Sequence, residues 1–305
     1  LFLAFHVSAL NSKAQPGTVS FLHISDTHLI FNLGLYQPNL AQSRQHYGQG
    51  VDSLKQFLKT APRKTNSDMV AATGDLIDFY EGETIDGNMQ DLMIKQFVNL
   101  LDKSKTPVFL TLGNHDISSY SWGDSTRVSS QKHAGQARAT WIRNTPCFSE
   151  GTYYSKILVA GKTTFRLIFL DDAYNSVHPG ENTLIPYIDK AQLHWLENEL
   201  MQSDSDIEIV LMHLPITSGV TLPEHSCELY SVLAKNPSVK LILAGHNHRN
   251  AIQSFTTGEN QKIMQVQTGA FGQSTENWRR ICLTENSILV SLSGSNGNEL
   301  TIPVN

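Results

Sequence analysis

The stretch VSFLHISDTH, from Val19 to His28, is an apolar run that ends in an aspartate and a histidine. Four later stretches repeat this pattern: MVAATGD (Met69 to Asp75), PVFLTLGNHD (Pro107 to Asp116), IEIVLMH (Ile207 to His213) and VKLILAGHNH (Val239 to His248). The apolar runs have about 5–7 residues each and are rich in Val, Ile, Leu and Phe, which is typical of strands buried on both faces. The sequence therefore predicts five buried strands, each followed by polar side chains.

Helical patterns precede four of these strands, with apolar residues recurring every three or four positions. They cover Gly50 to Ala61, Asp91 to Leu101, Ala191 to Met201 and Leu229 to Ala234. Because strand and helix alternate along this part of the chain, parallel pairing of the strands is favoured.

Other segments have the pattern of antiparallel strand pairs. They are Thr152 to Leu158 with Thr164 to Leu170, Ala251 to Thr256 with Lys262 to Gln267, and Arg279 to Thr284 with Ile288 to Leu292. Together the two kinds of segment predict an α/β (α+β) protein in which two sheets pack face to face and helices lie outside them.

The chain of 305 residues is long enough for two average domains, but no repeat, low-complexity tract or linker divides it. We expect a single domain over residues 18–305. The first residues, LFLAFHVSAL, are too short to span a bilayer and are similar to the end of a signal-peptide apolar region. We expect residues 1–17 to be a signal-peptide remnant and leader of an exported (periplasmic or extracellular) protein. A packed terminal segment of a cytoplasmic protein is the alternative, and no integral membrane segment is expected.

Charge and cysteine content exclude some classes of function. The net charge of −5 gives no whole-protein basic field, so we expect no stable nucleic-acid partner. Cys147, Cys227 and Cys282 are isolated, and no Cys-x-x-Cys pair indicates a thiolate metal site or a redox motif. The three cysteines permit one disulfide, which leaves one thiol over. The oligomeric state stays open.

In open α/β sheets, ligands bind beyond the carboxyl ends of the strands, and all five apolar runs end in side chains able to hold a metal ion. These side chains are Asp26, His28, Asp75, Asn114, His213, His246 and His248. Each motif alone has an ordinary explanation, because Asp26 suits a turn cap and a single His213 suits a satisfied core histidine. A shared metal site explains all five together.

Oxygen and imidazole ligands without thiolate suit borderline and harder ions, namely Mn, Fe or Zn, with Co and Ni as alternatives. Seven ligands oversupply one ion. Two ions that share one carboxylate, roughly 3.5–4 Å apart, fit the number of ligands better.

Five blocks, Asp-x-His, Gly-Asp, Gly-Asn-His-Asp, His and Gly-His-x-His, occur in order from Asp26 to His248. In these blocks the sequence resembles the calcineurin-like metallophosphoesterase superfamily, and the resemblance covers most of the chain. It implies a four-layer β-sandwich flanked by helices, in agreement with the strand and helix patterns. ISDTHL, GDLID, LGNHD and GHNHR look most similar to the cyclic-nucleotide phosphodiesterase-like branch.

The resemblance also implies a role for each position. Asp26, His28 and His248 would bind the first ion, Asn114, His213 and His246 the second, and Asp75 would bridge both. His115 would lie beside the scissile ester and, as an imidazolium, stabilise developing charge or protonate the leaving oxygen, while Asp116 would orient His115. The implied reaction is hydrolysis of a small phosphate ester by a metal-bound hydroxide.

One departure from the family pattern distinguishes this chain from a branch of the superfamily. Purple acid phosphatases carry a metal-binding tyrosine three residues after the bridging aspartate, where this chain has Asp78. We expect Asp78 to cap a turn or to support a ligand. Asp171 and Asp172 match no family ligand and are interpreted as a turn. Candidates to line the cleft, for which ordinary loop or surface roles are nevertheless favoured, are Asn32, Tyr36, His46, Tyr47 and Trp122.

Three functions remain at this point. A phosphodiesterase acting on cyclic nucleotides or other small diesters is the leading hypothesis, and a phosphomonoesterase of broad specificity is the alternative. A non-catalytic metal-binding scaffold would have lost ligands or His115, and the sequence shows neither loss.

Overall fold

The computed structural model describes residues 17–47, 49–173, 187–203, 206–216, 228–256 and 262–304. The strands are β1 (Val19–Ile24), β2 (Met69–Thr73), β3 (Glu81–Glu83), β4 (Met89–Gln90), β5 (Val108–Thr111), β6 (Ser119–Trp122), β7 (Arg127–Ser130), β8 (Tyr154–Ala160), β9 (Thr163–Phe169), β10 (Ile207–Leu211), β11 (Val239–Ala244), β12 (Ala251–Thr256), β13 (Lys262–Gln267), β14 (Arg279–Leu283), β15 (Ser287–Ser291) and β16 (Asn298–Pro303). The α-helices are α1 (Pro38–Arg44), α2 (Gly50–Thr65), α3 (Met93–Leu101), α4 (Ala134–Asn144), α5 (Lys190–Met201) and α6 (Glu228–Ala234).

Two six-stranded sheets form the body of the protein, with the orders β16-β15-β14-β1-β2-β5 and β12-β13-β11-β10-β9-β8. Strands β1, β2 and β5 are parallel in the first sheet, and β9, β10, β11 and β13 are parallel in the second. The expected parallel pairing is therefore confirmed. The three expected antiparallel pairs are also present, as β8 with β9, β12 with β13 and β14 with β15.

Alternate residues of the central strands belong to different buried clusters, as the two-residue period of a strand requires. Phe21 of β1 packs in one cluster with Leu211 of β10 and Leu243 of β11, so this cluster lies between the sheets. The next residue, Leu22, packs instead with side chains of α2, α3 and α4, among them Phe97. The first sheet is therefore covered by helices on its outer face.

The second sheet is covered in the same way. Val210 of β10 and Ile242 of β11 pack with Leu196 of α5 and Leu233 of α6 in a third cluster. The layers thus run helices, sheet, sheet, helices, and the predicted α/β class with two facing sheets is confirmed.

A small four-stranded sheet, of order β4-β3-β6-β7, was not predicted from the sequence. Its strands have two to four residues each and carry mostly polar side chains, so neither length nor alternation distinguishes them from loops. Strand β16 was also missed. The small sheet follows the second and third sequence blocks and so forms part of the surroundings of the site.

Some expectations concern residues beyond the described part of the chain. Residues 1–16, which make up nearly all of the expected leader, lie outside it, and so does Cys227. Cys147 and Cys282 are free thiols. Within the described ranges, no helix combines the length and the apolarity needed to cross a membrane.

Candidate metal centre

The candidate ligands occupy equivalent positions at the ends of parallel strands. Asp26 lies two residues beyond the end of β1, and Asp75 lies two residues beyond the end of β2. In the same way His213 follows β10 and His246 follows β11. Because these strands are parallel within each sheet, their carboxyl ends meet at one edge. A backbone hydrogen bond of 3.1 Å from Asp26 N to Gly74 O joins the loops after β1 and β2.

The backbone at these loop positions adopts a conformation that non-glycine residues rarely take. Among the described residues, seven non-glycine positions have positive φ, and five of them are candidate ligands. They are Asp26, His28, Asp75, His246 and His248, with φ between 45° and 67°. Such positions cost on the order of 1–3 kcal/mol each and persist only where the surrounding structure compensates for them. The strain is therefore concentrated in the loops that aim the candidate ligands.

Two glycines of the sequence blocks allow the loops to approach one another. A Cβ atom on Gly113 would lie 2.2 Å from the backbone N of Asp75, and one on Gly245 would lie 1.7 Å from Ser25 Oγ. Both separations are far shorter than any real contact, so only glycine fits. Gly113 thus lets the Gly-Asn-His-Asp block lie against the Gly-Asp block of Asp75, and Gly245 lets the Gly-His-x-His block lie against the Asp-x-His block of Asp26.

Three groups of side chains offer ligand atoms that lie within 4.8 Å of one another. The group of His28, Asp78 and His115 contains one candidate ligand, and the other two groups consist entirely of candidate ligands. One of these two consists of Asp26, His28, Asp75 and His248, and the other of Asp75, His213 and His246. Asp75 belongs to both, and its Oδ2 lies 3.2 Å from His213 Nε2 and 3.6 Å from His28 Nε2. The structure thus brings together six of the seven candidate ligands around one carboxylate.

Asn114, the seventh candidate, follows Gly113 and precedes His115, whose backbone N donates to Asp75 Oδ1 at 2.9 Å. Its Oδ1 is buried and accepts no hydrogen bond from the described residues. Asp26 Oδ1 is likewise buried without a hydrogen bond, although it lies 3.3 Å from His248 Nε2. An unsatisfied buried acceptor costs about 1–3 kcal/mol, and a cation would satisfy both oxygens. The residues present therefore fit metal ions.

Hydrogen bonds fix the tautomers of two histidines. His213 Nδ1 lies 2.8 Å from Thr73 O, and His28 Nδ1 lies 3.0 Å from Asp78 Oδ1. Because a carbonyl or a carboxylate only accepts, Nδ1 carries the proton in both rings. The Nε2 lone pair then remains for a cation, which is the usual arrangement in metal sites.

The electrostatics of the cluster follow from burial and close contacts. Burial opposes ionisation of Asp75, but the neighbouring His213 and His115 hold its pKa well below its usual range. Burial also disfavours charge on His213, yet the Asp75 carboxylate raises the pKa of His213 to about 10. Burial, and after it the charge of His213, lowers the pKa of His246 to about 4. The Asp75 carboxylate therefore favours positive charge at Nε2 of His213, and this charge is a proton unless a metal ion replaces it.

His115 lies at the edge of the cluster, with its Nε2 3.9 Å from Asp75 Oδ2. Its Nδ1 lies 2.8 Å from the backbone O of Asp78 and 2.9 Å from the hydroxyl of Tyr120. Burial lowers the pKa of His115 to about 4, although Asp75 and Asp78 act in the opposite direction. The ring is therefore neutral here, and the imidazolium form needs a further negative charge, such as that of a bound ester.

Asp116 does not make the contact expected of it. Its carboxylate accepts backbone hydrogen bonds from Gly113, Leu76 and Ile77, at 2.7, 2.9 and 3.0 Å. The expected orientation of His115 is made instead by Asp78 O and Tyr120. The physical reason is that His115–Ile117 form a 3-10 turn after β5, in which Asp116 N donates to Gly113 O at 3.1 Å, and the Asp116 side chain lies against the loop after β2.

Asp171 and Asp172, interpreted as a turn, anchor neighbouring segments. Asp172 accepts from the backbone N of His213 and of Leu214, both at 2.8 Å, and so holds the loop that carries a candidate ligand. Asp171 binds Arg138 through two hydrogen bonds of 2.7 and 3.0 Å. Neither aspartate belongs to the groups that offer ligand atoms among the described residues.

The surroundings of His28 include residues that the sequence suggested weakly or not at all. Tyr47, a candidate cleft residue, stacks on the His28 ring with centroids 4.5 Å apart. Arg44 lies over the Tyr47 ring and binds Asp78. Tyr36, by contrast, packs edge-on against Phe79 in the core. No motif distinguishes Arg44, which the sequence analysis missed.

A sequence model of the family described as calcineurin-like phosphoesterase matches residues 19–250. This chain belongs to that family. The predicted family and the predicted fold are thereby confirmed, and the protein is a hydrolase that acts on phosphate esters. Membership of the family and the Asp and His cluster support divalent metal ions at the site.

Individual family members are similar over most of the chain. The 3′,5′-cyclic adenosine monophosphate phosphodiesterase CpdA of Escherichia coli (strain K12) is 26% identical over 244 residues, which cover 77% of this chain and 72% of that protein. The 3′,5′-cyclic-nucleotide phosphodiesterase alr5338 of Nostoc sp. is 24% identical over 76% of this chain and 72% of its own length. A dimetal phosphatase from Danio rerio has a similar structure, with a TM-score of 0.63, 15% identity, and coverage of 95% of this chain and all of that chain. At 15% identity, the similarity to the Danio rerio phosphatase is evidence for the fold alone.

Proposed function

We propose that this protein is a dinuclear metal-dependent phosphodiesterase that hydrolyses small phosphodiesters, including cyclic nucleotides. The observation that carries the proposal is the position of Asp75, whose carboxylate belongs to both groups of candidate ligands. One shared carboxylate between two groups is the arrangement that holds two ions close together. Asp26, His28 and His248 would hold one ion, Asn114, His213 and His246 the other, and Asp75 both.

The choice of a diester substrate rests on the relatives. The similar proteins of Escherichia coli and Nostoc sp. are named for the hydrolysis of cyclic nucleotides. The metal ligands alone do not separate diesters from monoesters, because both reactions need the same charge on the phosphoryl oxygens. A phosphomonoesterase is therefore the outcome against which the proposal is tested.

When bound, the metal ions supply positive charge for the phosphoryl oxygens and lower the pKa of a coordinated water. The protein's own residues do the rest. His115 is held by its Nδ1 at the carbonyl of Asp78, so its Nε2 is directed towards the cluster, within reach of an ester placed there. A phosphate ester brings the negative charge that favours protonation of His115, and Nε2 can then donate that proton to the leaving oxygen.

Hydrolysis rates test the choice of substrate. Protein loaded with Mn should cleave bis-p-nitrophenyl phosphate and 3′,5′-cyclic adenosine monophosphate faster than p-nitrophenyl phosphate. Chelation should abolish all three activities, and added Mn should restore them. A higher kcat/KM for the monoester would show that the protein is a phosphomonoesterase instead.

Two substitutions test the proposed roles at the cluster. Asp75→Asn should weaken binding of both ions together, so that metal content falls below one ion per chain. His115→Ala should retain the metal content of the native protein and lose roughly 100-fold or more in kcat, the usual size of a general-acid contribution. Full activity of Asp75→Asn, or loss of metal from His115→Ala, would contradict these assignments.

A further inference from the structure

A recessed basic pocket lies between helices α2 and α3, with a volume of about 640 Å³. Five cationic side chains line it: Lys55, Lys59, Arg63, Lys103 and Lys105. The chain has 23 Lys and Arg residues and a net charge of −5, so such a concentration of cations around one cavity is not a consequence of overall composition.

The cations of α2 form one stripe. Lys55, Lys59 and Arg63 follow one another at intervals of four residues, which places them on the same face of the helix. Like charges at this spacing destabilise a helix by about 0.2–0.5 kcal/mol per pair. The dipole of α2 stabilises cations only in its last turn, where Arg63 lies, and does not account for Lys59 in the middle of the helix.

Few counter-charges offset the stripe. Lys55 lies 3.2 Å from Asp52, on the exposed surface. Among the residues that the structure describes, the other four cations form no salt bridge, and no acidic side chain lines the pocket. Because the loop Lys103 to Lys105 adds two more cations opposite the stripe, positive charge surrounds the cavity from two sides.

The lining of the pocket defines its ligand. Leu58 and Leu100 are buried at 6% and 5% exposure and contribute the apolar part of the lining. Ser104 and Thr106 also line the pocket, and the Ser104 hydroxyl donates to the backbone O of Thr106 at 2.8 Å, which holds the loop that carries Lys103 and Lys105. We propose that this pocket binds a small anion that carries several phosphate groups. Lysine and arginine side chains hold phosphate oxygens by charge-assisted hydrogen bonds, and a recessed cavity suits a compact ligand.

The basic pocket is separate from the metal centre. Helix α2 begins at Gly50, where an added Cβ would lie 3.4 Å from Thr27 O in the loop between two candidate ligands. The pocket residues of α2 extend from Lys55, about 8 Å further along the helix, to Arg63, about 20 Å further. No residue that lines the pocket belongs to the groups that offer metal-ligand atoms. The proposal therefore stands independently of the reaction at the metal centre, and one helix connects the two places.

The test measures lysine reactivity residue by residue, so that an anion bound at the metal centre does not contribute. Native metal-loaded protein is acetylated with an amine-reactive ester with and without inorganic tripolyphosphate, and each lysine is quantified by mass spectrometry. We expect the reactivity of Lys59, Lys103 and Lys105 to fall at least about threefold, and that of Lys64 and Lys95 to stay unchanged. Equal or absent protection at all five lysines would overturn the proposal.

Matched variants separate the pocket from general charge. Lys59→Gln/Lys103→Gln removes two cations from the pocket, one on α2 and one in the loop after α3, and Lys64→Gln/Lys95→Gln removes two cations of α2 and α3 that do not line it. The affinity for tripolyphosphate is measured in each variant from the protection of Lys105. We expect it to fall about tenfold or more in the first variant and to equal that of the native protein in the second. Thermal unfolding without the anion checks that both variants fold, and the single variant Lys59→Gln replaces the first if it does not. Equal affinities of the two variants would refute the site.

A membrane headgroup is the other source of clustered phosphate. Native protein should not co-sediment with vesicles of phosphatidylglycerol and phosphatidylcholine at an ionic strength where tripolyphosphate protects the lysines. Protection of these lysines by the vesicles and not by tripolyphosphate would overturn the proposal of a small anion.

Discussion

Asp78 Oδ1 lies 3.0 Å from His28 Nδ1, the ring nitrogen that does not face the other candidate ligands. The same carboxylate binds Arg44 through hydrogen bonds of 2.7 and 2.5 Å. Burial opposes its ionisation, but Arg44 and His28 hold the pKa of Asp78 below its usual range. Asp78 therefore stays charged and keeps the proton of His28 on Nδ1, which leaves Nε2 for a cation.

The Asp78→Asn variant should bind metal more weakly without losing it. Carboxylates that orient a ligating histidine typically contribute a factor of about 10–100 in metal affinity. The measurement is a Mn titration of metal-free protein, with exposed Asp124→Asn as the control of equal charge. An affinity equal to that of the control would mean that Asp78 only caps a turn.

Tyr120→Phe should lower kcat about threefold to tenfold, with little change in KM or metal content. The Tyr120 hydroxyl lies 2.9 Å from His115 Nδ1, and Arg127 lies over the Tyr120 ring at 4.4 Å. Loss of the hydroxyl removes one of the two contacts that orient the His115 ring. Steady-state kinetics of the diester measure the effect, with Tyr153→Phe as the control.

A double variant shows whether Tyr120 acts through His115. If it does, Tyr120→Phe should cost nothing further in a His115→Ala background, since residues of one network are not additive. Additive losses would contradict the positioning role.

Asp116→Asn should destabilise the fold by about 1–3 kcal/mol, because an amide NH₂ cannot accept from the Gly113 N–H that now donates to the carboxylate. Urea unfolding of metal-loaded protein measures the change. Unchanged unfolding together with a large loss of kcat would restore the original hypothesis that Asp116 serves His115.

The sequence predicted the position of the site because the candidate ligands follow buried strands at fixed short distances. Asp26 and Asp75 are recognisable next to the apolar runs of β1 and β2, and their meeting follows from parallel pairing. Gly113 and Gly245 strengthened the pattern for a reason that the structure makes explicit, namely the close approach of two loops.

Residues that support the ligands could not be found in the same way. Arg44 reaches Asp78 across 34 positions of the chain, and Asp172 reaches His213 across 41. Such contacts depend on the packing of separate elements, and an isolated Arg or a pair of aspartates carries no local signal of it. The short strands β3 and β4 were missed for a related reason, because β3 is formed by pairing with β6, and β4 by pairing with β3, and neither has a strand pattern of its own.

His23 makes the stability of the protein sensitive to acid. Its ring is fully buried between Thr73 and Thr268. Its Nε2 lies 2.8 Å from the Thr73 hydroxyl, and its Nδ1 lies 2.8 Å from the Thr268 hydroxyl. Burial, and after it the charge of Arg279, lowers the pKa of His23 to about 3. In the unfolded chain the pKa is about 6.5, so between these values the unfolded state binds the extra proton. The contribution of the neutral His23 ring to the free energy of unfolding is therefore fully present above pH 6.5 and is lost as the pH falls towards 3.

We expect the free energy of unfolding of the native protein to fall more steeply between pH 7 and pH 5 than that of His23→Gln, although the variant is less stable at pH 7. Urea unfolding at several pH values gives both slopes. His194→Gln, which changes an exposed histidine on α5, should keep the native slope because that ring is exposed to solvent in both states. An identical slope for His23→Gln and the native protein would show that His23 accepts its proton without unfolding.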